Sequence, residues 1–271
     1  MQIVPKIDHF KVVTYCNLVC GVWPIAFENQ PVLRVLYSTH FWTLFGATSL
    51  FVIGTYIKLF SEMFTNFDIV IVTRIGTIAT AYTMGLLRIY SVRNAAAKEL
   101  IREVMMKEEI INNSKDDELI KIYYQCVRGN VLFNLVYMTM HYIDTISYCY
   151  VIYPFLLPKE PYFDPARNET VLQVPLLWDS WMPFDQQKYH FVAFFWEEFA
   201  TTICALCNYG SDIFFYSFIN YLIGQLDILH RILTEFETYK GKIQEQLRCD
   251  EEEADLVTLR LCIIEHQRIL R

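Results

Sequence analysis

The chain has 271 residues, 54% of them apolar and 20% charged, with a formal net charge of −7. Soluble domains average about 45–50% apolar and about 25% charged residues, so the balance argues against a water-soluble globule. No basic stripe accompanies the acidic charge, which excludes nucleic-acid binding, since that needs clustered Lys and Arg to neutralise phosphates.

The apolar excess sits in blocks. In residues 1–34 the apolar run is broken by Asn17, Gly21 and Pro24 and no small-residue cleavage site follows, so this segment is not expected to be a cleaved signal peptide. A membrane-crossing helix needs about 20 largely apolar residues, and four stretches provide them. The first span is predicted over 35–57, bracketed by Arg34 and Lys58. A short loop, 58–68, leads to the second span over 69–90, whose apolar part carries only Arg74. A charged loop, 91–128, precedes the third span at 129–151, where Asp144 is the only acid. Pro154 and Pro158 are expected to end that helix, because proline cannot continue one. A long loop, 152–190, precedes the fourth span at 191–226, which holds Glu197, Glu198 and Asp212. Its length exceeds a bilayer core, and Ile228, Leu229, Ile232, Leu233 and Phe236 extend the helical spacing beyond it. Residues 227–271 therefore read as helices in the aqueous phase, with the acidic run 250–253 as a solvated turn.

Orientation follows the Lys and Arg count of the loops. Segments 1–34, 88–128 and 227–271 hold 18 of them, against 4 in 58–68 and 152–190. The N-terminus is thus expected in the cytoplasm. Asn168-Glu169-Thr170 is a glycosylation acceptor triplet on the predicted outer side, whereas Asn112-Asn113-Ser114 falls inside. An inside N-terminus with four spans differs from a G-protein-coupled receptor, which starts outside. Cys204-x-x-Cys207 has no second pair to make a zinc site and reads as small core residues.

Four short motifs then resemble the insect odorant receptors. Leu18-Val19-Cys20-Gly21-Val22-Trp23-Pro24 is similar to the family's L-x-x-x-G-x-W-P element. Pro154-Phe155-Leu156-Leu157-Pro158 closes the third span, and Trp181-Met182-Pro183-Phe184-Asp185 resembles the W-x-P-F-D that precedes the fourth. Cys262 to Ile269 is similar to the C-x-x-x-H-x-x-I stretch before a fifth span. Their order and spacing cover nearly the whole chain. The resemblance implies an all-α membrane protein: four transmembrane helices of a seven-span bundle, with a long fourth helix projecting into the cytoplasm. It also implies a plasma-membrane, odorant-gated cation channel formed with a co-receptor subunit. The chain stops at Arg271 inside an apparent helix, so a fragment lacking three spans, the pore span among them, is expected. A related gustatory-type receptor and an unrelated multi-span transporter or membrane-bound enzyme are the alternatives.

No catalytic constellation, metal set or cofactor-binding loop is visible; the six histidines are scattered. The expected partners are a small volatile odorant, the co-receptor subunit and membrane lipid. The resemblance places ligands between helices in the outer half of the membrane. There the second span supplies Val70, Thr73, Arg74 and Thr77, the third His141, Thr145, Tyr148 and Tyr150, and the fourth Phe194, Phe195, Phe199 and Thr202. Aromatic stripes at helical spacing are also what plain packing produces. Arg74 either snorkels to headgroups, pairs with Asp144, or serves the pocket. Trp178, Trp181 and Trp196 read as interface anchors.

Overall fold

The computed structural model describes residues 8–27, 29–65, 67–114, 116–156, 159–164, 168–173, 176–178, 180–186 and 188–269. Leu157, Pro158 and Arg271, used above, lie outside these. Among the described residues are α1 (Lys11–Val19), α2 (Pro31–Thr65), α3 (Ile69–Val92), α4 (Ala95–Asn113) and α5 (Asp117–Ser147). A π-helical turn (Tyr148–Ile152) and α6 (Tyr153–Leu156) follow, then β1 (Glu160–Asp164) and β2 (Glu169–Gln173). The chain continues as α7 (His190–Thr234), α8 (Phe236–Leu247) and α9 (Glu251–Ile269).

The helices start where the sequence provides caps. Pro31 opens α2, the position at which a missing N–H costs nothing. The Asp68 carboxylate accepts from Val70 N at 2.8 Å and Ile71 N at 3.4 Å to begin α3. Asp250 accepts from Glu253 N at 2.8 Å. The acidic run is therefore only partly a turn: Glu251, Glu252 and Glu253 form the first turn of α9, where the helix dipole favours negative charge.

The helices α2, α3 and α7 are each long and apolar enough to cross a membrane. Leu50, Ile53, Phe60 and Val70 are exposed on them, a surface that suits lipid and not water. The third expected span lies on α5 and the π turn. It is a continuous helix, but Asn130, Asn134, His141 and Asp144 interrupt its apolar character. Pro154 does not end it. The chain passes through the π turn into α6, with Pro154 in that helix's first turn, where proline is tolerated. The fourth expected span is the 45-residue α7, about 68 Å long at 1.5 Å per residue. It ends at Thr234, short of Phe236, and α8 begins anew after Glu235. The loop 152–190 contains an unexpected antiparallel ribbon, with Glu160 opposite Gln173 and Asp164 opposite Glu169. Asn168 is exposed next to its turn at φ 50°, a left-handed conformation that asparagine accommodates.

The chain divides into two compact units. One comprises Val12–Glu99 and Leu135–Ile213. Its core packs Phe51, Val52, Ile78, Tyr82, Ala200 and Cys204; Cys207 is also buried, as the small-residue reading expects. The Gly21 motif is a helix stop. Asn17 O accepts from Val22 N at 2.8 Å and from Trp23 N at 3.2 Å, folding the chain back over the end of α1. Gly21 has φ 72°, and a Cβ there would lie 3.0 Å from Phe41 Cα, so glycine is required twice over. Phe41 is buried under the Arg93 guanidinium at 4.0 Å.

The other unit comprises Met1–Lys11, Leu100–Asn134 and Phe214–Arg271. Its described polar core centres on His9, which is fully buried. His9 N donates to Glu108 Oε1 at 2.9 Å and the ring Nε2 meets Ser217 O at 2.7 Å. Asn130 Nδ2 donates to His9 O at 3.1 Å, and Asn134 Nδ2 to Ser217 Oγ at 2.8 Å. Burial lowers the His9 ring pKa, against the Ser217 hydrogen bond that raises it.

Asp116 caps α5 in this unit, accepting from Glu118 N at 3.2 Å and Leu119 N at 3.3 Å, and it pairs with Lys242 at 2.6 Å. Burial alone would raise its pKa; the Lys242 ammonium and the two amides outweigh that and lower it. Stabilisation by a depressed carboxyl is present above its unfolded value and is lost as pH falls through the folded one. Asp116→Ala is therefore expected to cost about 1–2 kcal/mol at neutral pH, from the lost cap and a half-exposed ion pair. The gap between wild-type and variant melting points should narrow below about pH 4. A gap that is constant from pH 7 to pH 3 would refute the assignment.

Candidate functional site

The unit of 12–99 and 135–213 brings part of the expected ligand set together. Tyr137, His141, Thr145 and Cys149 recur every four residues, which aligns them along one face of α5 and into the π turn. Phe194, Glu198 and Thr202 make a matching stripe on α7. The two stripes meet. The His141 ring stacks on Tyr209 at 4.3 Å between centroids, and Tyr137 meets His141 edge-on at 4.3 Å. Thr145 Oγ1 lies 3.5 Å from the Tyr209 hydroxyl. Tyr150 OH lies 3.0 Å from Thr202 Oγ1. Phe194 packs on Cys149 and Leu177.

The remaining expected residues are placed elsewhere. Val70, Thr73, Arg74 and Thr77 occupy the exposed side of α3. The buried stripe of that helix is Ile75, Ile78, Ala79 and Tyr82. Tyr148, Phe195 and Phe199 are exposed, close to the buried stripe but not part of it. Arg74 and Asp144 are both exposed and do not pair. The ion pair that does form joins Arg88 to Asp212 at 2.9 Å, with Tyr137 OH donating to the second carboxylate oxygen at 3.2 Å.

Sequence reasoning missed the carboxylates. Glu197 and Glu198 are 0% and 1% exposed. The Glu197 carboxylate accepts from Trp178 N and Ser180 N, both at 3.0 Å, and from Ser180 Oγ at 2.7 Å. It thereby ties the segment before α7 onto that helix. The Trp178 indole N–H donates to Thr201 Oγ1 at 2.6 Å, and its ring meets Tyr82 edge-on. Trp178 is thus a packing residue as well as an expected interface anchor. Gln186 Nε2 donates to Ser180 O, and Trp181 N donates to Gly54 O at 3.2 Å. The signal that could have found the carboxylates was available: ionisable groups within an apolar span are costly and mark function or a partner.

The arrangement is a largely apolar wall with a few oriented hydroxyls, stacked rings and a carboxyl. A family model described as 7tm odorant receptor matches residues 59–271. The chain belongs to the 7tm odorant receptor family. This is a receptor family and not an enzyme family, and its fold makes the chain an all-α, multi-pass membrane protein. The structure of the insect olfactory receptor OR5 from Machilis hrabei has the same fold, with a TM-score of 0.60 at 14% identity. The match covers 96% of this odorant receptor chain and 62% of the OR5 chain, so the chain spans less than two thirds of that receptor's length. No curated protein matches the sequence.

Proposed function

We propose that this chain is the ligand-tuning subunit of an odorant-gated cation channel. It would sit in the plasma membrane with its N-terminus in the cytoplasm and assemble with a co-receptor subunit. A volatile molecule binds in the outer half of the bundle, along the facing stripes of α5, the π turn and α7. The observation that carries this reading is the array of Tyr137, His141, Thr145 and Tyr209 with the Tyr150–Thr202 pair beside it. Exposed Asn168 in a turn of the 152–190 loop supports an outer position for that loop. The ligand acts by population shift: binding the open arrangement better than the closed one biases gating. The α3 residues Val70, Thr73, Arg74 and Thr77 face lipid or a further helix in this scheme.

The test is odorant-evoked current from oocytes expressing the receptor polypeptide that contains this chain with a co-receptor. Alanine at His141, Thr145 or Tyr209 is expected to shift half-maximal concentrations by roughly tenfold, as loss of one hydrogen bond or aromatic contact would. Alanine at Thr73 or Thr77 should leave them within about threefold. Unchanged tuning in the first set, with normal surface labelling, removes the proposed pocket.

A further inference from the structure

We infer that Glu198 selects the ligand class: small apolar molecules bearing a hydrogen-bond donor, primary amines above alcohols. This rests on the odorant-receptor reading of the same site. Glu198 is buried, and neither carboxyl oxygen makes a hydrogen bond of standard geometry. Its polar neighbour is the thiol of Cys149 in the π turn, a weak donor. No described cation pairs with it, since Arg88 is engaged with Asp212. Its neighbour Glu197 is the opposite case, with three donors satisfied by the protein itself.

A buried carboxyl with only a thiol beside it is costly, and unsatisfied buried groups are few in native proteins. Packing gives no reason for an acid here, because leucine or methionine would fill the same volume. The site surrounding it explains one. Phe194 and Thr202 lie one turn to either side on α7, and Cys149 and Tyr150 face them from the π turn. A single π turn within a helix is itself a recurrent feature of functional sites. An N–H or O–H brought by a ligand satisfies the carboxyl. An ammonium does so most strongly, because charge-assisted hydrogen bonds are about twice as strong as neutral ones. Esters, ethers and hydrocarbons bring no donor.

The experiment uses the same oocyte assay with hexylamine, hexanol and pentyl methyl ether, which share size but not donors. Wild-type receptor is expected to respond to the amine at concentrations at least about tenfold below the ether, with the alcohol between. Glu198→Gln keeps the shape and an acceptor, so the alcohol response persists while most of the amine advantage disappears. Glu198→Leu removes the difference among the three and retains the ether response. A donor preference unchanged in both variants overturns the inference, as does a wild type without that preference. Loss of both variants from the cell surface assigns Glu198 to folding and also overturns it. Surface-labelled wild-type receptor that answers no member of a broad odorant panel overturns the odorant reading itself.

Discussion

Replacing Glu197 with alanine is expected to detach residues 176–182 from α7. Three donors converge on its carboxylate, and hydrogen bonds to charged groups contribute about 1.5–3 kcal/mol each. Part of that is returned, because the variant no longer buries a charge. The two backbone amides of Trp178 and Ser180 would be stranded, and Ser180 is itself buried. The net cost is about 3 kcal/mol, or roughly 100-fold in the opening equilibrium of the segment. Amide exchange at 176–182 should accelerate accordingly in detergent or nanodiscs, while α2 and α3 keep their protection. Glu197→Gln preserves shape but presents an amide nitrogen to one of the donors, and an intermediate effect is expected. Equal exchange in wild type and the alanine variant would show that the carboxylate is not what holds the segment.

The second large effect is expected at Gly54. A helix interior normally gains up to about 1 kcal/mol when glycine becomes alanine. Here the sign reverses, because a Cβ at Gly54 would lie 2.5 Å from Trp181 O. That oxygen is backbone, held in turn by the Trp181 N–H bond to Gly54 O, so it cannot swing aside as a side chain would. Overpacking of this kind costs about 1–3 kcal/mol. Gly54→Ala should lower the melting temperature, and the same segment should open. Because Gly54 and Glu197 secure one stretch of chain, the double variant should lose less than the two singles added. A stabilised Gly54→Ala protein, or strict additivity, would count against a shared latch.

Much of this architecture was legible in the sequence, and the misses have a common cause. Long apolar runs located α2, α3 and α7, because hydropathy responds to composition alone, but the expected spans stop eight residues short of the C-terminal ends of α2 and α7. The Gly21 motif was visible as a break because its residues are adjacent. What hydropathy does not report is rotation about the helix axis. Val70, Thr73, Arg74 and Thr77 lie at the expected height on α3 but on its exposed side. Asp212 pairs with Arg88, 124 positions away, a choice that no local pattern encodes. Tyr209 joins His141 and Thr145 for the same reason. The β1–β2 ribbon was hidden in a loop whose residues alternate too briefly to be recognised as strands. The acids Glu197 and Glu198 are plain in the sequence, but the donors that meet the first and not the second come from a separate segment and are not.

The seat of His9 has a practical side. Its ring and main chain bond to Glu108, Asn130 and Ser217, and the rings of Tyr123 and Tyr221 close around the imidazole. Trimming the N-terminal segment through this residue would empty that seat and take away the hydrogen bonds that His9 gives to Glu108 and accepts from Asn130. A fluorescent or affinity label joined close to it would pull on the same plug. Tags are better carried on a spacer well ahead of Asp8, or moved to an exposed turn elsewhere.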